Sequence, residues 1–182
     1  MTPNPSPNTR RREISVWLIG ALSLLPCLGH AQMTEAKVKA AFLYNFAKYV
    51  EWPSSAFESP SSPIVIGTIG IDSLGEALEA VVEGKTAGGR RVVVHHFRWS
   101  DDISKCQELF VPASEIGSCN RLDGLRGKPV LVVGEYPGFA KRHGVINFTL
   151  EGNRIKFEIN ESNASHDGLT ISSKLLSLGR RV

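Results

Sequence analysis

The chain is short of the residue patterns that carry chemistry. Three cysteines stand in 182 residues, and no histidine spacing joins the distant pair Cys106 and Cys119 to complete a zinc site. No G-x-S-x-G occurs, which excludes a nucleophile elbow. Gly84-Lys85-Thr86 has the look of a phosphate-loop ending, but Glu79 occupies the place of the leading glycine. Gly67-Thr68-Ile69-Gly70 lacks the spacing of a dinucleotide fingerprint. His95 and His96 are neighbours in an expected strand, so they point to opposite faces and cannot ligate one metal; surface positions are the simpler reading. His143 and His166 fall in expected loops with no evident partner. Neither a metal, a cofactor nor an enzymatic activity is expected, and the balance tilts toward a binding or regulatory protein.

Strong net charge is also missing. Arg10, Arg11 and Arg12 precede an apolar stretch from Ile14 to Leu28, and Gly29-His30-Ala31 offers small residues for a signal peptidase. Residues 1–31 are therefore expected to be a cleaved secretory leader. The apolar run is short beside the roughly 20 residues of a spanning helix, and Pro26 interrupts it. Pro26 also stands where a lipoprotein needs a small residue before Cys27. Loss of the three arginines and Glu13 brings the net charge from +3 to +1. Such a balance speaks against nucleic-acid binding, which masses basic residues on one face, and against a polybasic membrane arm. No membrane insertion is expected of the mature chain. Residues 32–182 are one domain's worth, enough for a proper core.

In an oxidising compartment Cys106 and Cys119 are a disulfide candidate. With twelve residues between them, a bridge would contribute about 3 kcal/mol. Their expected placement, Cys106 opening a strand and Cys119 in mid-helix, must still bring the Cα atoms within about 7 Å. A bridge and two free thiols both stay open.

What the chain does contain is clear periodicity. Thr34 to Trp52 predicts a helix, with Val38, Ala41, Phe42, Phe46, Tyr49 and Val50 on one stripe and Pro53 as its stop. After a Ser/Pro-rich loop, Ile64–Ile69 is a short apolar strand suited to burial on both faces. A helix follows over 72–82, then a turn at 84–89 and the strand RRVVVHHF. Gln107–Val111 and Pro129–Val133 read as further strands, with a helix over Ser114–Leu125 between them and a short helix or turn at 137–142. VINFTL and RIKFEI alternate like half-buried strands around Glu151-Gly152-Asn153, where the glycine and asparagine tolerate positive φ in a tight turn. ESNASHDG reads as a polar loop, and LTISSKLLSL as a terminal helix ending at Gly179. Arg180 and Arg181 are placed to complement its C-terminus. The fold class is thus α/β: a mixed, mainly parallel sheet sandwiched by helices, with a C-terminal antiparallel hairpin and terminal helix.

Ligands of open α/β sheets gather beyond the strand C-termini. Asp72 and Ser73, with Gly134 and Glu135, are the candidates for such a cleft. Asp72 and Glu135 could form an acid/base pair; the plainer reading has Asp72 or Ser73 capping a helix and Glu135 in solvent. Asn147-Phe148-Thr149 and Asn163-Ala164-Ser165 match the three-residue glycosylation pattern, a weak signal.

KAAFLYNFAKYVEWP (39–53), GKPVLVV with PGFA (127–140), and INFTLEGNRIKFEIN followed by GLTISSKLLSL (146–178) occur in this order. Together they closely resemble the YfiR family of periplasmic proteins. The resemblance implies a small, often dimeric α/β protein without catalytic activity. It implies repression of an inner-membrane diguanylate cyclase through that enzyme's periplasmic portion, lowering cyclic di-GMP and restraining biofilm formation. An outer-membrane lipoprotein is implied as the partner that sequesters the regulator. Asn147, Glu158, Asn160, Leu169 and Ser172, on the hairpin and its following loop, are the candidate contact residues. A periplasmic small-ligand sensor using the strand-end cleft is the alternative. The chain departs from the family in ESNASH, in Gly179 where alanine is common, and in its sparse cysteines.

Overall fold

Strands that are apolar on both sides must be covered on both faces, and the chain supplies those covers between them. The computed structural model describes Met1 and residues 34–70 and 73–182. Apart from Met1, the expected leader lies outside the described residues, as does Asp72.

Helix α1 (Glu35–Tyr49) runs into the short strand β1 (Val50–Glu51) and, past Pro53, a 3-10 turn at Ser54–Ala56. Strand β2 (Ile64–Ile69) is followed by α2 (Ser73–Val82), β3 (Thr86–Ala87) and β4 (Arg90–Phe97). A 3-10 turn (Ile103–Lys105) leads to β5 (Glu108–Val111), and 3-10 turns over Ala113–Leu125 lead on to β6 (Leu131–Gly134) and α3 (Phe139–Arg142). The hairpin β7 (Ile146–Glu151) and β8 (Arg154–Ile159) precedes α4 (Glu161–His166), β9 (Thr170–Ile171), α5 (Ser173–Leu178) and β10 (Arg180–Arg181).

Eight strands form one sheet in the order β10-β8-β7-β6-β5-β2-β4-β3, while β1 pairs separately with β9. From β4 through β7 all neighbours are parallel. Strand β8 reverses against β7, and β3 against β4. The mixed, mainly parallel sandwich with a terminal hairpin is therefore as expected. The hairpin register closes on Glu151 opposite Arg154. Gly152 and Asn153 take φ of 53° and 63°, the two positive values of a type I′ turn.

Two apolar layers flank the sheet. On one side Ile66, Phe110, Leu131 and Val133 join Leu43 and Phe46 of α1, Leu78 of α2 and Leu175 of α5. On the other, Leu109, Val111 and Val132 join Phe139 with Leu122 and Leu125 from the 3-10 stretch. Each such side chain contributes about 1.5–3 kcal/mol on burial.

Several local expectations are corrected. The first helix stops at Tyr49, because Val50 and Glu51 pair antiparallel with Ile171 and Thr170. Its buried stripe is Ala40, Leu43, Phe46 and Ala47, rotated from the expected one because both the sheet and α2 cover it. Ser114–Leu125 winds as 3-10 turns; Gly117, Gly124 and the interspersed Ser, Asn and Asp are poor α-helix formers. ESNASH is helical (α4), since the Asn160 side chain accepts from Asn163 N at 3.0 Å as its N-cap. LTISSKLLSL is strand β9 and then helix α5, capped by Ser172. Arg180 does not serve a helix end: it lies in β10, opposite and paired with Glu158. Gly179 sits past the helix at φ −99°. A Cβ there would stand 2.6 Å from Phe157 and 2.8 Å from Ile159, so close packing, not helix propensity, accounts for the glycine.

Among the described residues, Glu108 is the one charged-type residue with no exposure at all. Its register neighbours are Ile66 and Leu131, and neither carboxyl oxygen has a hydrogen-bond partner among the described residues. Burial raises its pKa well above the ordinary carboxyl value, so it is held as the neutral acid. The unfolded chain releases this proton from about pH 4.3. Above that pH the folded state binds the extra proton, and stability falls as pH rises toward the raised folded value, by up to about 1.4 kcal/mol per pH unit. Urea unfolding of wild type and Glu108→Leu is expected to show the variant more stable at pH 8, the gap shrinking toward pH 5. A gap that is constant with pH would contradict the buried-acid assignment.

Candidate functional site

The carboxyl ends of β5 and β6 meet the N-terminal turns of α1 and α2, and here the structure assembles a charged cluster. Glu135 follows the last residue of β6. One of its oxygens accepts from Ala113 N at 3.0 Å and the other pairs with Lys39 Nζ. Lys39 also reaches Glu35 one helical turn away at 2.5 Å, an i,i+4 arrangement that α1 sets up by itself. Burial works to lower the Lys39 pKa, but the hydrogen bonds and charges of Glu135 and Glu35 outweigh it and hold the ammonium above its ordinary value. The cluster is an ion-paired triad, with both side chains of the Lys39–Glu135 pair largely shielded.

Two cavities flank the triad and share Glu35, Lys39 and Glu135. One, of about 210 Å³, is completed by Ser73, Leu74 and Phe110. The other, of about 290 Å³, is completed by Ala113 and the hairpin residues Phe148, Thr149, Leu150 and Ile155. Of the four cleft residues read from the sequence, Ser73 and Glu135 thus come together. Glu135 is not simply solvated: it ties α1 to the end of β6. Gly134 is buried within β6 under the Phe139 ring, where a Cβ would come within 2.5 Å; it permits packing and lines neither cavity. Lys39 was missed, since its helix gives no local sign of a partner 96 residues away.

The five hairpin and loop residues expected at a partner contact are mostly turned to the fold itself. Asn147 is 1% exposed; its Oδ1 accepts from Tyr136 N at 2.9 Å and its Nδ2 donates to Glu158 at 3.4 Å. Glu158 in turn pairs with Arg180, so one polar chain staples β7, β8 and β10. Leu169 is core. Asn160 and Ser172 are half-buried helix caps, and Asn160 also donates to Ala140 O at 3.0 Å. The apolar surface near them is instead Leu150, at the hairpin's outer end, and Leu178, at 62% and 61% exposed. Leu150 continues the face of Ile146 and Phe148 by period two, a signal visible in VINFTL.

His96 is more than a surface histidine. Its Nδ1 lies 2.8 Å from the Thr68 hydroxyl and its Nε2 2.9 Å from Glu79, tying β2, β4 and α2 together. His95, on the other face, stacks edge-on with Phe97. Cys106 and Cys119 are both buried free thiols in the same apolar layer. Cys106 follows the 3-10 turn and does not open the strand, and Cys119 sits in 3-10 turns; each sulfur lies by a carbonyl of its own turn. Burial pushes the Cys106 thiol up to about 12 and raises that of Cys119, so neither offers a thiolate at neutral pH. Among the described residues no group of three His, Cys, Asp or Glu side chains could hold a metal ion, and no helix is long and apolar enough to cross a membrane.

The polar clusters of this mixed α/β sandwich hold helix, sheet and hairpin together. The YfiR/HmsC-like family model matches residues 36–180, and the chain belongs to that family. Membership places it among periplasmic regulators of diguanylate cyclase signalling, a regulatory and not a catalytic family. No curated protein matches the chain.

Breaking the triad from either side leaves a shielded charge without its partner. Lys39→Met and Glu135→Gln are each expected to cost about 1–3 kcal/mol, between the exposed and buried limits for ion pairs. In chemical denaturation the double variant should lose clearly less than the sum of the two; strict additivity would show that the pair does not couple.

Proposed function

We propose that the chain is a non-enzymatic periplasmic regulator that represses an inner-membrane diguanylate cyclase by protein–protein contact, and so lowers cyclic di-GMP. The observation that carries this reading is the family match, which runs through the whole α/β unit from α1 to β10. In this reading residues 1–31 are a leader removed on export, and the mature chain acts as a homodimer. An outer-membrane lipoprotein is the partner that draws it away from the cyclase. The hairpin and the segment after it supply the contact surface. Asn147, Glu158, Asn160, Leu169 and Ser172 act there by holding β7, β8, α4 and α5 in shape. Leu150 supplies exposed apolar area.

Deleting the gene is expected to raise cellular cyclic di-GMP severalfold. The full chain should restore the low level, whereas residues 32–182 expressed without the leader should not. Cyclic di-GMP unchanged by the deletion would sink the reading.

The convergence of Ser73, Lys39 and Glu135 on one cavity favours a second, compatible reading, in which a small polar ligand tunes the regulator. A thermal-shift screen of polar metabolites is expected to find a saturable stabiliser whose effect Glu135→Gln abolishes. A stabiliser equally effective on that variant would place its site elsewhere.

A further inference from the structure

A second charged cavity lies away from the triad and shares no residue with it. Arg126, Lys141, Arg142, His143 and His166 line a space of about 150 Å³, with Asp167 as the only carboxylate in the lining. They come from three separate segments: the exit of the 3-10 stretch, the end of α3 and the end of α4.

The nearby carboxylates are already engaged. Asp123 pairs with Arg126 Nε at 3.2 Å. Asp167 Oδ1 accepts from Gly127 N at 2.8 Å and lies 3.1 Å from His166 Nδ1. Three permanent cations therefore face two carboxylates, and the two histidines add no negative charge. Both guanidinium groups are anchored by the fold. Arg142 Nη2 donates to Pro137 O at 2.8 Å, and its guanidinium lies 5.4 Å from the centre of the Tyr136 ring. Arg126 Nη2 donates to Arg142 O at 3.1 Å. A guanidinium has five N–H donors, so both keep donors to spare. His143 Nδ1 is buried with no hydrogen-bond partner among the described residues, a state that calls for an explanation in a native fold.

The volume narrows the ligand. Sites for drug-sized molecules run from about 300 to 1,000 Å³, so this cavity suits a small anionic head and little else. Donors arriving from three segments suit a tetrahedral group with three or four acceptor oxygens. A carboxylate offers two oxygens in one plane, and a single arginine fork would satisfy it. We propose that this cavity is a phosphate-binding site, which takes either inorganic phosphate or the phosphate group of a small phosphorylated solute. The proposal goes beyond the regulatory reading and does not depend on it.

Isothermal titration of the full mature chain with inorganic phosphate and with glycerol 3-phosphate, at constant ionic strength, tests it. Saturable binding of at least one of them is expected. Lys141→Gln, which removes an exposed lysine, and Arg126→Gln should each weaken it about tenfold or more, as loss of a charged hydrogen bond does. Lys156→Gln on β8 should leave it unchanged, with circular dichroism confirming that every variant is folded. Tighter binding of glycerol 3-phosphate identifies a phosphorylated solute as the ligand, and equal or tighter binding of inorganic phosphate identifies the free ion. No saturable binding of either ligand overturns the proposal, as does binding that Lys141→Gln and Arg126→Gln both leave intact.

Discussion

Four phenylalanine rings hold this fold together. Phe42 and Phe46, one helical turn apart on α1, meet Phe148 and Phe157, which stand directly opposite each other across the hairpin. Ring centroids lie 5.1 to 6.1 Å apart, in stacked, tilted and edge-on arrangements. Such contacts add about 0.5–1.5 kcal/mol each beyond the burial of area. Their position matters more than their number. They fasten α1 across the line where the parallel sheet gives way to the antiparallel hairpin. With α1 seated there, Lys39 one turn earlier falls beside Glu135. At the other end of the helix, Val50 and Glu51 leave it in position to pair with β9.

The polar clusters follow from this arrangement. Lys39 and Glu135 join helix to sheet; Asn147, Glu158 and Arg180 join three strands; His96 joins Thr68 to Glu79. Each satisfies groups that would be costly to bury alone. Glu108 is the exception. It stays in the apolar layer as a neutral acid, and it makes the sheet centre sensitive to pH in a way that no surface charge would. In the triad, the hairpin chain and the His96 contact, polar side chains are committed to holding the elements together.

Much of the architecture was legible from residue order. Continuous apolar strands separated by amphipathic helices predict a mainly parallel sandwich. The alternation in VINFTL and RIKFEI with Glu151-Gly152-Asn153 between them predicts the antiparallel hairpin; its register, with Glu151 in the strand opposite Arg154, came from the structure. Local chemistry failed where a long-range partner intervened. ESNASH lacks apolar periodicity, yet it is a helix, because Asn160 caps it and the side chain of Asn163 bonds the carbonyls of Ala140 and Gly144. Val50 and Glu51 continue a helical pattern, yet they are drawn into a strand by β9. Neighbourhood in sequence does not reveal that Asn147 on the hairpin and Leu169 beyond it face inward.

By itself, then, the sequence determined the fold class, the hairpin and the family, since all three rest on periodicity, turn chemistry and the order of motifs along the chain. Only the tertiary structure decided which charges meet. Lys39 and Glu135 are 96 residues apart, and the basic residues around the second cavity come from three segments. The physical reason is that apolar periodicity is set by neighbours a few residues away, whereas an ion pair or an anion cavity depends on which strand ends the packed core brings together.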